Sequence, residues 1–129
     1  MKKKIKILIV CSRYNNTNLL LLNTIKELNK RKQDFQILKV PGAFEIPVAI
    51  ARKINKYDGF IAIGSIIKGE TPNFEYISMS ITNAIMQLSI KYKKPIGNAI
   101  LTCLNNLQAK KRSGKGKEAV EAVCGVLDE

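Results

Sequence analysis

The residues best suited to chemistry lie between positions 58 and 81, where an apolar run ends in the turn Lys68-Gly69-Glu70-Thr71-Pro72 and a helical pattern follows. Pro72 suits the first turn of a helix, because a backbone N–H would have no partner at that position. The backbone N–H groups of such a turn, with the positive end of the helix dipole, favour an anion such as phosphate. The spacing therefore predicts an anion site at Glu70 and Thr71.

Histidine is absent from the chain. The commonest transition-metal ligand and the usual general base near neutral pH are therefore missing, so any catalysis must use other groups and no metal site is expected. The three cysteines, Cys11, Cys103 and Cys124, show no metal-type or redox-type spacing. An odd number of scattered cysteines argues against a disulfide framework and suits a reducing cytoplasm.

The anion turn follows a nearly continuous apolar run at 60–67 and precedes a helical stripe of apolar residues from Phe74 to Leu88. The run is typical of a central strand covered on both faces of a parallel sheet. Ligands of open α/β sheets bind at the carboxyl ends of the strands. The turn is therefore expected at the ligand-binding edge of the sheet.

The remaining elements follow the same alternation. Further strands are predicted at 4–11, 35–40 and 95–102. The first helix is expected after the candidate N-caps Asn16, Thr17 and Asn18, and further helices are predicted at 43–55, from 74 to about 92, at 105–112 and at 117–127. The order β-α-β-α-β-α-β-α-α predicts one domain spanning 1–129, a flavodoxin-like three-layer α/β/α fold with a four-stranded parallel sheet.

The formal net charge of +12 raises the question of nucleic-acid binding. The lysines are dispersed along helix ends and outer faces without interleaved aromatics, and the chain is rich in Lys, Asn and Ile together, a bias that A/T-rich coding produces. We therefore expect no nucleic-acid partner, and attraction of anionic substrates is a simpler use of the same field. No apolar run reaches the length of about 20 residues that a bilayer requires, so no membrane partner is expected.

Three segments together carry a family resemblance. GSIIKGETPNFEYIS resembles G-x-V-I-R-G-x-T-x-H-F-[DE]-Y, and VPGAFEIP matches V-P-G-[AS]-F-E-[IL]-P. LTCLNNLQAKKRSGKGKEAV resembles L-T-x-E-x-x-x-Q-A-x-x-R-A-G followed by N-K-G-x-E-A, with a loop several residues shorter after Arg112. All are signatures of the 6,7-dimethyl-8-ribityllumazine synthase family, whose histidine is replaced here by Asn73.

The resemblance implies a cytoplasmic transferase that condenses 5-amino-6-(D-ribitylamino)uracil with 3,4-dihydroxy-2-butanone 4-phosphate, the penultimate step of riboflavin biosynthesis. It implies no cofactor, and a homopentamer with active sites between adjacent subunits. The chain begins almost directly on its first strand, which favours free pentamers over an icosahedral shell. The same motifs would also fit a weakened or non-catalytic ligand-binding homologue, and without the family the fold would suggest a phosphate- or nucleotide-binding module.

The resemblance also assigns residues. It gives phosphate binding to Glu70, Thr71 and Arg112, and it places Asn73 at the position of the proton-transferring histidine, so a slow enzyme is expected. Binding of the ribitylaminouracil is assigned to Tyr14, Ala43, Phe44, Glu45, Ser65, Ile66, Ile67 and Asn98. Plainer interpretations remain for Tyr14 as a loop aromatic, Glu45 as a helix-dipole acid and Asn73 as a helix-entry residue, and the alignment of Lys115 stays open.

Overall fold

The computed structural model describes residues 4–13, 17–69 and 73–129. Four strands and five α-helices alternate along it: β1 Ile7–Ser12, α1 Asn18–Lys30, β2 Phe35–Val40, α2 Ile46–Lys53, β3 Gly59–Ile67, α3 Phe74–Tyr92, β4 Ile96–Cys103, α4 Asn106–Lys111 and α5 Lys115–Leu127. A 3-10 turn at Ala43–Glu45 leads into α2.

The four strands form one parallel sheet in the order β2-β1-β3-β4. β1 and β3 are central, and every residue of both strands is buried. The order is the flavodoxin-like arrangement with one strand fewer, and it confirms the predicted four-stranded parallel α/β fold.

Two apolar clusters cover the two faces of the sheet. Odd-numbered residues of the central strands, such as Ile9 and Ile61, pack with Leu28 of α1 and Val120 of α5. Even-numbered residues, such as Phe60, pack on the opposite face with α2 and α3. This alternation follows from the two-residue period of a strand, and it explains why β3 is apolar on both faces.

Gly97 determines how closely α5 approaches the edge strand β4. A Cβ atom built at Gly97 would lie 2.6 Å from the Ala119 backbone oxygen and 2.9 Å from Val123 Cγ2. The close approach therefore requires glycine on β4. It places the first turns of α5 directly on the outermost strand of the sheet.

The predicted boundaries differ from the observed ones chiefly at helix starts. Helix 2 does not begin as an α-helix at Ala43, because a 3-10 turn occupies Ala43–Glu45 and Pro47 lies in the first turn of α2. Thr17 is the N-cap residue of α1, but its hydroxyl donates to the Ser12 backbone oxygen at 3.0 Å instead of capping the helix. The last helix begins at Lys115, two residues before its predicted start.

Candidate active site

Most of the predicted site residues that the structure describes lie at or near the carboxyl ends of the strands, on several different elements. Three others, Tyr14, Glu70 and Thr71, lie outside the residues that the structure describes. The anion turn is described only up to Gly69, whose φ of +92° is the left-handed region that glycine adopts without steric cost.

The 3-10 turn Ala43–Glu45 packs directly against the ends of β1 and β3. A Cβ built at Gly64 would lie 3.4 Å from both Ala43 Cβ and Ser12 Oγ, so the turn approaches β3 closely because position 64 has no side chain. Phe44 is 63% exposed and Glu45 is half-buried. The backbone of the turn is thus fixed on the sheet, while the Phe44 side chain faces outward.

The last residues of β3 extend beyond the end of β1. The β1–β3 ladder stops at the pair Cys11 and Ile63, whereas the β3–β4 ladder continues to Ile67 and Cys103. Ile66 and Ile67 have buried side chains. Recognition by Ile66 and Ile67 would therefore use backbone groups on the side of β3 where β1 has ended.

Asn73 precedes α3 in a left-handed backbone conformation, with φ 65° and ψ 34°. Its backbone oxygen accepts a hydrogen bond from the Ile77 N–H at 2.9 Å, and its exposed side chain makes no capping bond. Asparagine is among the non-glycine residues most often found in this conformation. The structure thus gives Asn73 a local role in starting α3 and leaves its amide on the surface.

Arg112 lies at the carboxyl end of α4, the helix that follows β4. Its Nη1 donates to the Thr102 backbone oxygen at 3.2 Å and lies 3.9 Å from Cys103 Sγ. These contacts hold the guanidinium at the end of β4 and leave its other N–H donors for an anion.

A cavity of about 450 Å³ surrounds Arg112. It is lined by Ile100, Leu101, Thr102, Lys111, Arg112, Gly114, Lys115 and Glu118. Three cations and one carboxylate therefore face the same space, which suits a phosphate ester with a proton-transfer group beside it.

Asn98 lies within β4, paired in register with Ala62. It is half-buried, and its Oδ1 accepts a hydrogen bond from the Ile100 N–H at 3.0 Å. β4 is an edge strand, and its later residues Ile100, Leu101 and Thr102 line the Arg112 cavity.

The predicted site residues line more than one cavity of the chain, and Ser65 borders one that Lys110 also lines. Phe44 and Glu45 border a different cavity of about 400 Å³, between α2 and α3, which shares no lining residue with the Arg112 cavity. We call the residues Ala43–Glu45 and Ser65–Ile67 the central half-site. The edge half-site comprises Asn98, Lys111, Arg112, Lys115 and Glu118.

Lys111 and Glu118 also line the Arg112 cavity, although the sequence alone assigns neither residue a role. The available signal was their spacing around Arg112: Lys111 ends α4, and Glu118 lies in the first turn of α5. The short connection between these helices brings both residues to Arg112.

Within the described residues, no group of three or more His, Cys, Asp or Glu side chains could hold a metal ion. The same residues include no helix long and apolar enough to cross a membrane.

Comparison with known proteins gives one consistent family. A family model described as 6,7-dimethyl-8-ribityllumazine synthase matches residues 4–128. Proteins of that name from Bartonella tribocorum and Bartonella henselae are 39% and 40% identical, with matches covering 98% and 97% of this chain and 91% and 88% of theirs. One from Cutibacterium acnes is 40% identical over 73% of this chain and 61% of its own length.

Among solved structures, a de novo designed Rossmann fold protein matches with a TM-score of 0.42 and 17% identity, covering 84% of this chain and 92% of the other. That score is too low to define the fold, which rests on the strand order itself.

Proposed function

Because the chain belongs to the 6,7-dimethyl-8-ribityllumazine synthase family, a family of transferases in riboflavin biosynthesis, we propose that its reaction takes place between two subunits. The reaction condenses 5-amino-6-(D-ribitylamino)uracil with 3,4-dihydroxy-2-butanone 4-phosphate. The central half-site of one subunit would bind the ribitylaminouracil, and the edge half-site of its neighbour would bind the phosphate. The observation that carries this proposal is that Phe44 and Glu45 line a different cavity from Arg112 on one chain.

The edge half-site supplies charge. Arg112 offers a guanidinium fork held at the end of β4, and Lys111 and Lys115 add two ammonium groups around the same cavity. Charge-assisted hydrogen bonds from such groups are short and strong, and they suit the oxygens of a phosphate ester. In the proposed complex Glu70 and Thr71 of the neighbouring subunit add the anion turn.

The central half-site supplies position. Ile66 and Ile67 would present backbone groups to the polar edge of the pyrimidine, Tyr14 would pack on its ring, and Glu45 would accept hydrogen bonds from the ribityl hydroxyls. An amine and a ketone held in reacting geometry gain roughly 7–11 kcal/mol in favourable cases. The enzyme in this view is mainly a template, and it uses no cofactor.

Assembly of the subunits is supported by exposed apolar side chains on α2 and α3. Large apolar residues are more than half exposed along these helices: Val48, Tyr76, Met79, Met86 and Ile90. A row of this kind marks a protein–protein interface. We propose that it packs against further copies of the chain in a homopentamer, located in the cytoplasm.

Asn73 lowers the expected rate. An amide forms hydrogen bonds but does not titrate, and loss of a positioned acid–base group costs about 10²–10⁴-fold. The left-handed backbone of Asn73 also favours a second candidate, a homologue that binds the ligands without turnover. In that case the asparagine would be kept only for the entry into α3.

The test is formation of the lumazine product by the purified protein, followed by absorbance and fluorescence with both substrates present. We expect slow but measurable formation. Ligand binding without product, at enzyme concentrations that detect one turnover per hour, would favour the non-catalytic homologue. Absence of both binding and product would refute the proposed function.

Subunit mixing tests the shared site separately. Glu45→Ala and Arg112→Ala change different half-sites, so pentamers assembled from both variants contain some sites with two intact halves. Mixed pentamers should regain activity that neither variant has alone. Unchanged activity after mixing, with mixed assembly verified by mass spectrometry, would place both residues in one subunit's site.

A further inference from the structure

The edge half-site contains a carboxylate that the proposed function leaves without a role. Glu118 is the acidic member of the cavity that also holds Lys111, Arg112 and Lys115. The chain has no histidine, so an acid–base group for the condensation must be a residue of another type. Glu118 is therefore a titratable group beside the expected position of the phosphorylated substrate.

The surroundings of Glu118 leave its side chain available. It lies on the exposed surface of the first turn of α5, and within 4–13, 17–69 and 73–129 its carboxylate has no ion pair and no hydrogen bond. Other acids of the chain are engaged: Glu27 binds Arg31 at 2.8 Å and Asp34 binds Lys4 at 2.9 Å. An acid in the first turn of a helix also interacts favourably with the helix dipole. That interaction alone would not require a cavity or a neighbouring guanidinium.

We propose that Glu118 is a catalytic residue that carries protons during the condensation. The proposal rests on the proposed function, because it places the phosphorylated ketone at Arg112. Glu118 and Arg112 belong to the same chain and the same cavity, so both enter the shared site together. Asn73 would enter the shared site from the subunit that supplies the central half-site. In this proposal its amide is not the source of the proton.

The chemistry balances with one carboxyl group. After the substrate amine has added to the ketone carbon, protonated Glu118 donates its proton to the carbinolamine hydroxyl, which leaves as water with the C–O electron pair. The nitrogen lone pair forms the C=N bond and the nitrogen keeps its proton, so this step leaves an iminium ion and the Glu118 carboxylate.

The next step uses the same carboxyl group as a base. Deprotonated Glu118 takes the proton from the carbon next to the imine, and the electron pair of that C–H bond forms a C=C bond. The C–O bond to the phosphate breaks, and phosphate leaves with its electron pair towards Arg112. An acid–base group next to the phosphate-binding cation is thus near both bonds that break.

Other residues of the two half-sites fit the role less well. The guanidinium of Arg112 and the ammonium groups of Lys111 and Lys115 would be engaged by the phosphate charge. The Asn73 amide does not titrate, and the Glu45 carboxylate would be engaged by the ribityl hydroxyls. Among the described residues, Glu118 is the one carboxylate that lines the Arg112 cavity.

The test compares Glu118→Gln with Glu121→Gln. Both residues are exposed on α5, but Glu121 does not line the Arg112 cavity. Glu118→Gln should lower kcat by about 10²-fold or more, the effect of losing a positioned acid–base group. It should also remove one limb of the pH–rate profile, while KM for the phosphorylated substrate stays the same or falls because a negative charge has gone. Glu118→Asp should restore part of kcat, and Glu121→Gln should match the wild type.

A kcat and pH profile in Glu118→Gln equal to the wild type would overturn the proposal, as would equal losses in Glu118→Gln and Glu121→Gln. Thermal unfolding checks that both variants fold. Failure of the proposed function has a different signature, because the wild-type protein itself would then form no lumazine.

Discussion

The two half-sites differ in what they offer a ligand. The central half-site is built from buried strand ends and a tight turn, with Ile66 and Ile67 only 5% and 4% exposed. The edge half-site is an exposed cavity in which Lys111, Arg112 and Lys115 supply side-chain charge. The central half-site would recognise its ligand mainly through the position of backbone groups, and the edge half-site would recognise its ligand through side-chain charge.

The difference determines how each half-site responds to mutation. Backbone groups stay in place when a side chain is trimmed, so substitutions at Ile66 and Ile67 should change activity little while the fold holds. Glu45 is the exception in this half-site, because it would bind through its carboxylate. Charged side chains act individually, so a single substitution in the edge half-site should have a large effect.

The largest effect on substrate affinity is expected at Arg112. Arg112→Ala removes charge-assisted hydrogen bonds that contribute on the order of 1.5–3 kcal/mol, equivalent to about ten- to a hundredfold in affinity. KM for the phosphorylated substrate should rise accordingly, with little change in KM for the ribitylaminouracil. Lys117→Ala is the matched control, because Lys117 is an exposed cation of α5 that lines neither the Arg112 cavity nor the cavity beside Glu45.

Steady-state kinetics with each substrate varied separately would measure both effects. Equal rises in KM for the two variants would mean that only the overall positive field matters. The distinction between the two half-sites would then fail.

The next prediction concerns Gly97, the β4 residue on which α5 packs beside the edge half-site. Gly97→Ala places a methyl group 2.6 Å from the Ala119 backbone oxygen, and such overpacking costs typically about 1–3 kcal/mol. Gly125→Ala is the control, because a Cβ at Gly125 meets nothing within 4 Å. Removing a glycine from a helix interior should stabilise the protein by roughly 0.5–1 kcal/mol.

Denaturant unfolding of both variants would give the two free energies. Gly97→Ala should also lower kcat, since Glu118 adjoins Ala119 and moves with it. A stable Gly97→Ala variant would show that α5 shifts without cost, and the edge half-site would then be more adaptable than its packing indicates.

The sequence predicted the fold better than it predicted the site. β2 and α3 have the predicted ends, because apolar periodicity defines each of them. The start of helix 2 was wrong, because the contact of Ala43 with Gly64 favours a 3-10 turn there. Tertiary contact overrode a local pattern in that segment.

The edge half-site could not be predicted from local spacing, because it depends on the strand order. Lys111 and Glu118 face one cavity only because β4 is outermost and α5 packs on it through Gly97. The predicted roles of Tyr14, Glu70 and Thr71 stay predictions, since these residues lie outside the described part of the chain.

A smaller effect is expected at Asn73, which adjoins both half-sites in the proposed assembly. Asn73→His should raise kcat by at least about tenfold, a cautious fraction of the range for acid–base groups. It should also add a pH dependence near the value of about 6.5 typical of an unperturbed histidine. Histidine, like asparagine, is enriched in the left-handed conformation, so the variant should fold.

Asn73→Gly separates the chemical role from the structural one. Glycine adopts the observed φ of 65° without strain, so this variant keeps the entry into α3 and removes the amide. Kinetics over about pH 5.5–8.5, the range around the histidine value, would compare all three proteins. Identical rates and pH profiles in the wild type, Asn73→His and Asn73→Gly would rule out a catalytic part for this position.

The smallest effect is expected from trimming the central half-site at Ile66. Ile66→Val deletes one buried methylene group next to the proposed pyrimidine subsite, which should destabilise the protein by about 0.5–1.5 kcal/mol. The backbone of β3 stays paired with β4 at Thr102, so recognition through backbone groups should persist. We expect kcat/KM to change by less than roughly threefold. A threefold change corresponds to about half of the activation free energy that gives a tenfold change. Unfolding and steady-state kinetics on the same preparation would separate the two effects.

A loss of activity as large as that of Arg112→Ala, in a variant that remains folded, would mean that the Ile66 side chain itself contacts the substrate. The proposal that β3 recognises the substrate through its backbone would then be wrong.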